Sequence, residues 1–212
     1  MEFTDTNNYA HLTGVIVTEP EISHNVFDES FYLFYLEVGR LSGATDIIRI
    51  IASERLFQDT LIEKGEKVTV IGQFRSYNSL EDGVNRLILS VFARDILPPE
   101  EQENKNPNFL YLKGFLCKEP VFRQTPFGRE IADLLLAVNR TYNKSDYIPI
   151  ITWGRNARFS RHLLVGTKIE IIGRIQSRVY QKRVGEDEYI EKTAYEVSVS
   201  RLKLTDDEFN KA

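Results

Sequence analysis

Leu112-Lys113-Gly114-Phe115-Leu116-Cys117-Lys118-Glu119-Pro120 echoes Leu12-Thr13-Gly14-Val15-Ile16-Val17-Thr18-Glu19-Pro20, with Leu-x-Gly and Glu-Pro at positions one hundred residues apart. Working outward, Val38-Gly39-Arg40 answers Val138-Asn139-Arg140, and Ile48, Ile50 and Ile51 answer Ile148, Ile150 and Ile151. After one inserted residue, Val70-Ile71-Gly72 answers Ile171-Ile172-Gly173. Spacing held from Leu12 to Gly72 marks an internal duplication. Between the copies, Pro98 to Pro107 holds three prolines and charged residues but nothing apolar, so it has no means of joining a core and reads as a linker. The expected organisation is a first domain over 1–97, a linker over 98–108, a second domain over 109–205 and a short tail over 206–212.

Each half consists of apolar, β-branched and aromatic runs separated by turn residues, the chemistry of strands. In the second copy the runs predict strands near Phe109 to Lys118, Glu130 to Arg140, Tyr147 to Trp153, Lys168 to Tyr180 and Thr193 to Leu204. A short helix is predicted near Arg155 to Leu164, and Glu54 to Ile62 holds the same place in the first copy. Five strands with a helix after the third is the order of the OB-fold, a barrel often used to bind oligonucleotides. The predicted class is therefore all-β, two tandem five-stranded OB-fold barrels, each with a short helix between strands 3 and 4.

The chain has 212 residues, enough for two cores, and its 42% hydrophobic and 27% charged residues allow both to be buried. No stretch nears the roughly 18 apolar residues that span a bilayer, and Met1 to Asn8 is neither basic nor apolar, so a cytoplasmic, nucleoid-associated protein is expected, with no membrane partner. Cys117, the only cysteine, excludes an intrachain disulfide and lies in an apolar run, where a buried structural thiol is expected. The net charge of −4 hides an asymmetry. Residues 1–105 carry 9 basic against 18 acidic residues, or −9, and residues 106–212 carry 18 against 13, or +5. The second half is the expected polyanion-binding half.

Alternation along a strand places Tyr147, Pro149, Ile151 and Trp153 on one face and Ile148 and Ile150 on the core face. Arg174, Gln176, Arg178 and Tyr180 likewise share a face opposite Ile169, Ile171 and Ile175. Cations interleaved with rings suit an unpaired strand, since bases stack on aromatics and Lys or Arg neutralise phosphates without reading sequence. Lys182 and Arg183 extend the basic run into a hairpin that Glu186-Asp187-Glu188 reverses.

In order, the second copy shows Gly114 to Arg123, Thr125-Pro126-Phe127-Gly128, Leu134 to Arg140, Trp153-Gly154 and Gly173 to Tyr180. This ordered set resembles the bacterial single-stranded DNA-binding protein (SSB) family across 109–204, and the first copy resembles it more faintly. The resemblance implies an OB-fold, single-stranded DNA bound with little sequence preference, no cofactor, and a working assembly of four OB domains, here a homodimer. It also implies base stacking at positions that fall on Tyr142, Tyr147, Trp153 and Tyr180, with tyrosine standing for the usual tryptophan at three of them. Arg140, Arg174, Gln176, Arg178 and Lys182 complete the expected second-copy surface.

The first copy has Ser42, Ile47, Ser53 and Ser79 at the four ring positions, leaving Arg49, Arg75 and Tyr77 as its candidate contacts. A domain without rings also fits an interaction adaptor that meets a replication protein, the alternative reading of the chain. Catalysis and metal binding find no motif, because His11, His24 and His162 are scattered and neither a phosphate-cradling loop nor a Cys/His cluster is present. Family members carry an acidic tail ending in phenylalanine that recruits replication and repair proteins. Asp206-Asp207-Glu208-Phe209 is similar to a miniature of it but is followed by Asn210-Lys211-Ala212, so a frayed terminus is expected.

Overall fold

The computed structural model describes residues 6–40, 42–58, 60–81, 83–99, 106–183, 185 and 189–205; the tail at 206–212 and the acidic hairpin tip at 186–188 lie outside them. The first half holds β1 (Asn8–Ile16), β2 (Glu21–Val26), β3 (Glu29–Gly39), β4 (Thr45–Ser53), a 3-10 helix (Glu54–Phe57), β5 (Lys67–Glu81) and β6 (Val84–Leu97). The second repeats it as β7 (Asn108–Leu116), β8 (Val121–Gln124), β9 (Glu130–Asn139), β10 (Ser145–Trp153), α1 (Arg155–Ser160), β11 (Lys168–Arg183) and β12 (Tyr189–Leu204). Among these described elements no helix is long and apolar enough to cross a membrane.

Each half closes a five-stranded ring. β1 pairs with β3 and β5, β3 with β4, β4 with β6 and β6 with β5; β7, β9, β10, β12 and β11 do the same. Two details differ from the sequence reading. The expected strand to Lys118 stops at Leu116, and beyond Pro120, which has no N–H for a ladder, a separate short strand β8 pairs on the outer side of β9; β2 flanks β3 likewise. The helix expected over Glu54 to Ile62 is one 3-10 turn, drawn down by Phe57 packing on Tyr32 at 4.9 Å and by the Thr60 hydroxyl donating to the Ile96 carbonyl at 2.8 Å.

Leu12, Phe34, Leu36, Ile48, Ile50, Val70 and Phe74 fill the first barrel, and Leu112, Leu136, Ile148, Ile150, Ile171 and Ile175 the second. Strand crossings demand glycine. A Cβ at Gly114 would collide with the Ala137 carbonyl oxygen and one at Gly14 with that of Glu37, backbone atoms that no rotamer change removes. β5 and β11 each carry a bulge, at Ile71/Gly72 and Ile172/Gly173, after which they leave the first strand of their barrel. There a buried asparagine replaces the ladder: Asn8 donates to the Phe74 carbonyl at 2.7 Å and accepts from its N–H at 2.8 Å, and Asn108 does the same for Ile175 at 2.7 and 2.9 Å.

The barrels join through β1 and β7, antiparallel, with Ala10 opposite Leu110 at the centre, so the register maps onto itself when the copies are exchanged. The Thr13 N–H donates to Pro107 and the Lys113 N–H to Asn7, each at 2.8 Å. Asp46 of β4 accepts from the Ser177 N–H at 2.7 Å, and Asp146 of β10 accepts from the Ser76 N–H at 2.7 Å. The chain thus contains an internal pseudo-two-fold axis, with polar side chains of each barrel completing the backbone of the other.

Candidate nucleic-acid interface

The four second-barrel rings all reach solvent. Tyr142, in the β9–β10 turn at φ 60°, is 93% exposed; Tyr147 and Trp153, at the two ends of β10, are 48% and 36% exposed, and Tyr180 on β11 is 37% exposed. Trp153 is fixed by its indole Nε1, which donates to Ser198 Oγ at 3.2 Å, and Ser198 stands opposite Arg174 in the β11–β12 ladder. The Arg178 guanidinium carbon is 5.9 Å from the Tyr180 ring centroid. Two expected members of this face are withdrawn from it. Ile151 is buried, lying between Asp133 of β9 and Ser198 of β12. Gln176 is only 8% exposed and donates to Glu196 at 2.7 Å while accepting from Arg174 at 3.3 Å, so it fixes other side chains. Lys182 belongs to β11, but its side chain lies outside the described residues.

In the first barrel Ser42, Ile47, Ser53 and Ser79 leave the four ring positions empty of aromatics, yet the face is not ringless. Phe31 of β3 stands opposite Ser53, where the second barrel has Ile131 opposite Trp153. Phe92 stands opposite Gln73, where Ser198 stands opposite Arg174. The Phe31 and Phe92 centroids are 5.6 Å apart, and His24 stacks on Phe31 at 4.9 Å. The ring has moved from β4 to its two neighbours. Cations cover these rings: the Arg75 guanidinium carbon is 4.6 Å from the Phe92 centroid and that of Arg49 is 5.9 Å from Tyr77.

The pseudo-axis generates two clefts between the barrels, of about 650 and about 590 Å³, so similar in size that their linings carry the difference. In the larger, Arg40 and Ser42 of the first barrel face Arg129, Trp153, Arg174 and Ser198 of the second. In the smaller, Gln73, Arg75 and Arg94 of the first barrel face Asn139, Arg140 and Thr141 of the second. Sequence reading missed Arg40, Arg94 and Arg129. The signal for Arg40 was present, since Arg40/Arg140, Asp46/Asp146 and Ser76/Ser177 recur at the repeat offset although neither a core nor a turn requires them.

The equivalent ion pairs are unequal. Arg40 grips Asp46 through both Nε, at 2.6 Å, and its terminal nitrogen, whereas Arg140 Nε stands 3.4 Å from Asp146 without hydrogen-bond geometry. Burial pushes the Asp46 carboxyl up, but Arg40 and the Ser177 N–H and hydroxyl outweigh it and hold it below the usual carboxylate range. Burial of Asp146 prevails over the Ser76 N–H and the arginines, so its carboxyl is raised. Cys117 is half-buried, its thiol donates to the Leu135 carbonyl at 3.2 Å, and burial raises its pKa, away from what a nucleophile needs.

The model of the single-strand binding protein family matches residues 107–205. Among curated relatives, single-stranded DNA-binding protein 3 of Clostridium acetobutylicum is 33% identical over 117 residues, covering 49% of this chain and 81% of the relative. The single-stranded DNA-binding protein of Clostridium tetani is 36% identical over 90 residues, 39% of this chain and 62% of its own length, and protein A of Bacillus subtilis is 34% identical over 39% and 52%. The chain thus spans roughly half to three fifths of the length of these last two. The wild-type single-stranded DNA binding protein from Thermus aquaticus superposes with a TM-score of 0.76, covering 97% of this chain and 96% of that one at 22% identity, a likeness of fold. With the second barrel matched by the family model and most of a relative's length matched above 30% identity, this chain belongs to the bacterial single-strand binding protein family.

Proposed function

We propose that the chain binds single-stranded DNA without strong sequence preference, stacking bases on rings and neutralising phosphates, in replication, repair or mobile-element transfer. The observation that carries this is Trp153: a ring anchored to the sheet through Ser198, open to solvent, in a cleft that also holds Arg174 and Arg129. An indole fixed this way offers a π face without the entropy of arranging it, and stacking on such a face is worth about 1–3 kcal/mol per base. The names of the relatives support the same ligand.

The test is titration with oligo-dT while following Trp153, the only tryptophan, at several salt concentrations and with duplex as control. Quenching by the single strand, with affinity falling as salt rises, is expected, and, read with dye-labelled oligo-dT because the variant has no tryptophan, Tyr147→Ala with Trp153→Ala should remove most of the affinity. Equal binding of duplex, or none at low salt, overturns the reading and leaves the adaptor.

The functional units are taken as 1–97 and 109–205 joined by 98–108, and the working particle as a cytoplasmic, nucleoid-associated homodimer with four barrels. Exposed apolar side chains on the described outer strands, Ile22 and Val26 of β2 and Val121 of β8, support further association. Light scattering should return twice the 24.6 kDa of the chain; the monomer mass at micromolar concentration overturns the dimer.

A further inference from the structure

The smaller cleft departs from the pattern of stacking rings. No aromatic side chain and no carboxylate lines it among the described residues, and Arg75, Arg94 and Arg140 converge there from both barrels. Lys113 at its rim is already paired with Glu170 at 3.2 Å, so the three guanidinium groups carry its charge. Arg75 and Arg140 have one carboxylate near them, the buried Asp146, which Arg140 Nε approaches only to 3.4 Å without hydrogen-bond geometry. Nε of both Arg75 and Arg140 is buried without a hydrogen-bond partner among the described residues. Burial first, then the like charge of Arg140 and, more weakly, of Arg94, lower the pKa of Arg75, and the nearby Asp146 offsets this only in part. In the mate cleft, by contrast, Arg40 is consumed by Asp46 and by the Ser177 carbonyl at 3.1 Å.

We infer that the smaller cleft holds a nucleic-acid strand by its backbone alone, as a phosphodiester-binding site built by Arg75 and Arg94 of the first barrel with Arg140 of the second. The inference rests on the single-strand-binding reading and assigns the two clefts different tasks. Guanidinium forks match phosphate oxygens in geometry as well as charge. Phe92, under Arg75, serves as a shelf for the cation and is covered against stacking on that side. A strand, not a small free anion, is favoured by continuity. Arg140 closes the turn that carries Tyr142, and the Tyr147 N–H donates to Ser76, beside Arg75, at 2.7 Å, so a strand stacked on these rings runs directly into the cleft.

The experiment compares dye-labelled oligo-dT with an abasic deoxyribose-phosphate oligomer of equal length, on the full chain, across salt concentrations. The wild type should bind both. Arg75→Gln with Arg94→Gln should lower the salt slope of oligo-dT binding by about 1.4, at ~0.7 per phosphate of a single strand, and lower that of the abasic oligomer by the same amount. Arg94→Gln alone, at an exposed position, should lower it by about 0.7, which keeps the test should the Arg75 variant fail to fold. A wild-type slope in these variants, or no wild-type affinity for the abasic oligomer, overturns the inference and leaves single-strand binding standing. Tighter binding of tripolyphosphate than of the abasic oligomer assigns the cleft to a free polyanion and also overturns it. A wild type that ignores oligo-dT at low salt overturns both.

Discussion

Asp46 and Asp146 stand at equivalent places on the pseudo-axis and titrate in opposite directions, because one has a two-point guanidinium partner and the other does not. Asp46, with its folded pKa depressed, contributes stability that is present above the ordinary carboxylate range and lost as pH falls through the folded value. Asp146, with its folded pKa raised, binds its proton more tightly in the fold, so its contribution declines as pH rises through the ordinary range to the folded value. Asp46→Asn should therefore cost about 2–4 kcal/mol at neutral pH, leaving Arg40 half-buried without its partner, and the cost should shrink below pH about 4. For Asp146→Asn the difference from the wild type should move in favour of the variant as pH rises. Thermal melts of both from pH 3 to 7 decide the matter, and slopes of the same sign overturn the assignment. Residue identities made these aspartates visible at the repeat offset, but nothing in a sequence says that Arg140 swings wide of Asp146, because that depends on two barrels meeting at a particular angle. The rings of the second barrel were legible since alternation alone aims Tyr147 and Trp153 outward; Phe31 and Phe92 were not, because their relation to Ser53 runs across strands.

At the scale of elements, the sequence carried strand order and position well. Beginnings and ends of β9, β10, β11 and β12 fall within a few residues of the alternating runs, and Gly14 and Gly114 recur because both crossings bring a backbone carbonyl where a Cβ would sit. What the runs do not carry is termination by tertiary contact. The segment after β4 has the composition of a helix, but Phe57 on Tyr32 and Thr60 on the Ile96 carbonyl favour one tight turn over a longer helix. In the second barrel Thr152 Oγ1 lies 3.0 Å from Ser160 Oγ, and a longer turn survives as α1. Gln176 shows the same limit inside a strand. Period-2 counting places it on the outer face, yet Glu196 on the neighbouring strand holds it down. Burial on an outer face is decided by neighbours that sequence distance hides.

At the scale of the molecule, the decisive feature is that the barrels do not merely touch. β1 and β7 share a ladder from Asn8 to Leu12, the Ser76 and Ser177 N–H groups donate to carboxylates of the opposite barrel, and the Tyr147 N–H donates to Ser76 Oγ. Unfolding either barrel would strand these groups of the other without partners while exposing one side of its first strand. Each such buried loss costs about 1–3 kcal/mol, so several together compare with the stability of a small domain and disfavour a half-folded chain. Tandem domains often melt separately, and the enthalpy separates the cases. At ~0.7 kcal/mol per residue near 60 °C, one cooperative unit of this length has a van't Hoff enthalpy of about 150 kcal/mol, and an independent barrel about 70. Calorimetry at fixed protein concentration, which holds the effect of association on the midpoint constant, should give a single peak whose calorimetric and van't Hoff enthalpies agree near the larger figure. A van't Hoff value near half the calorimetric one would mean that the shared ladder opens before either barrel, and that the two clefts are hinges between independent units.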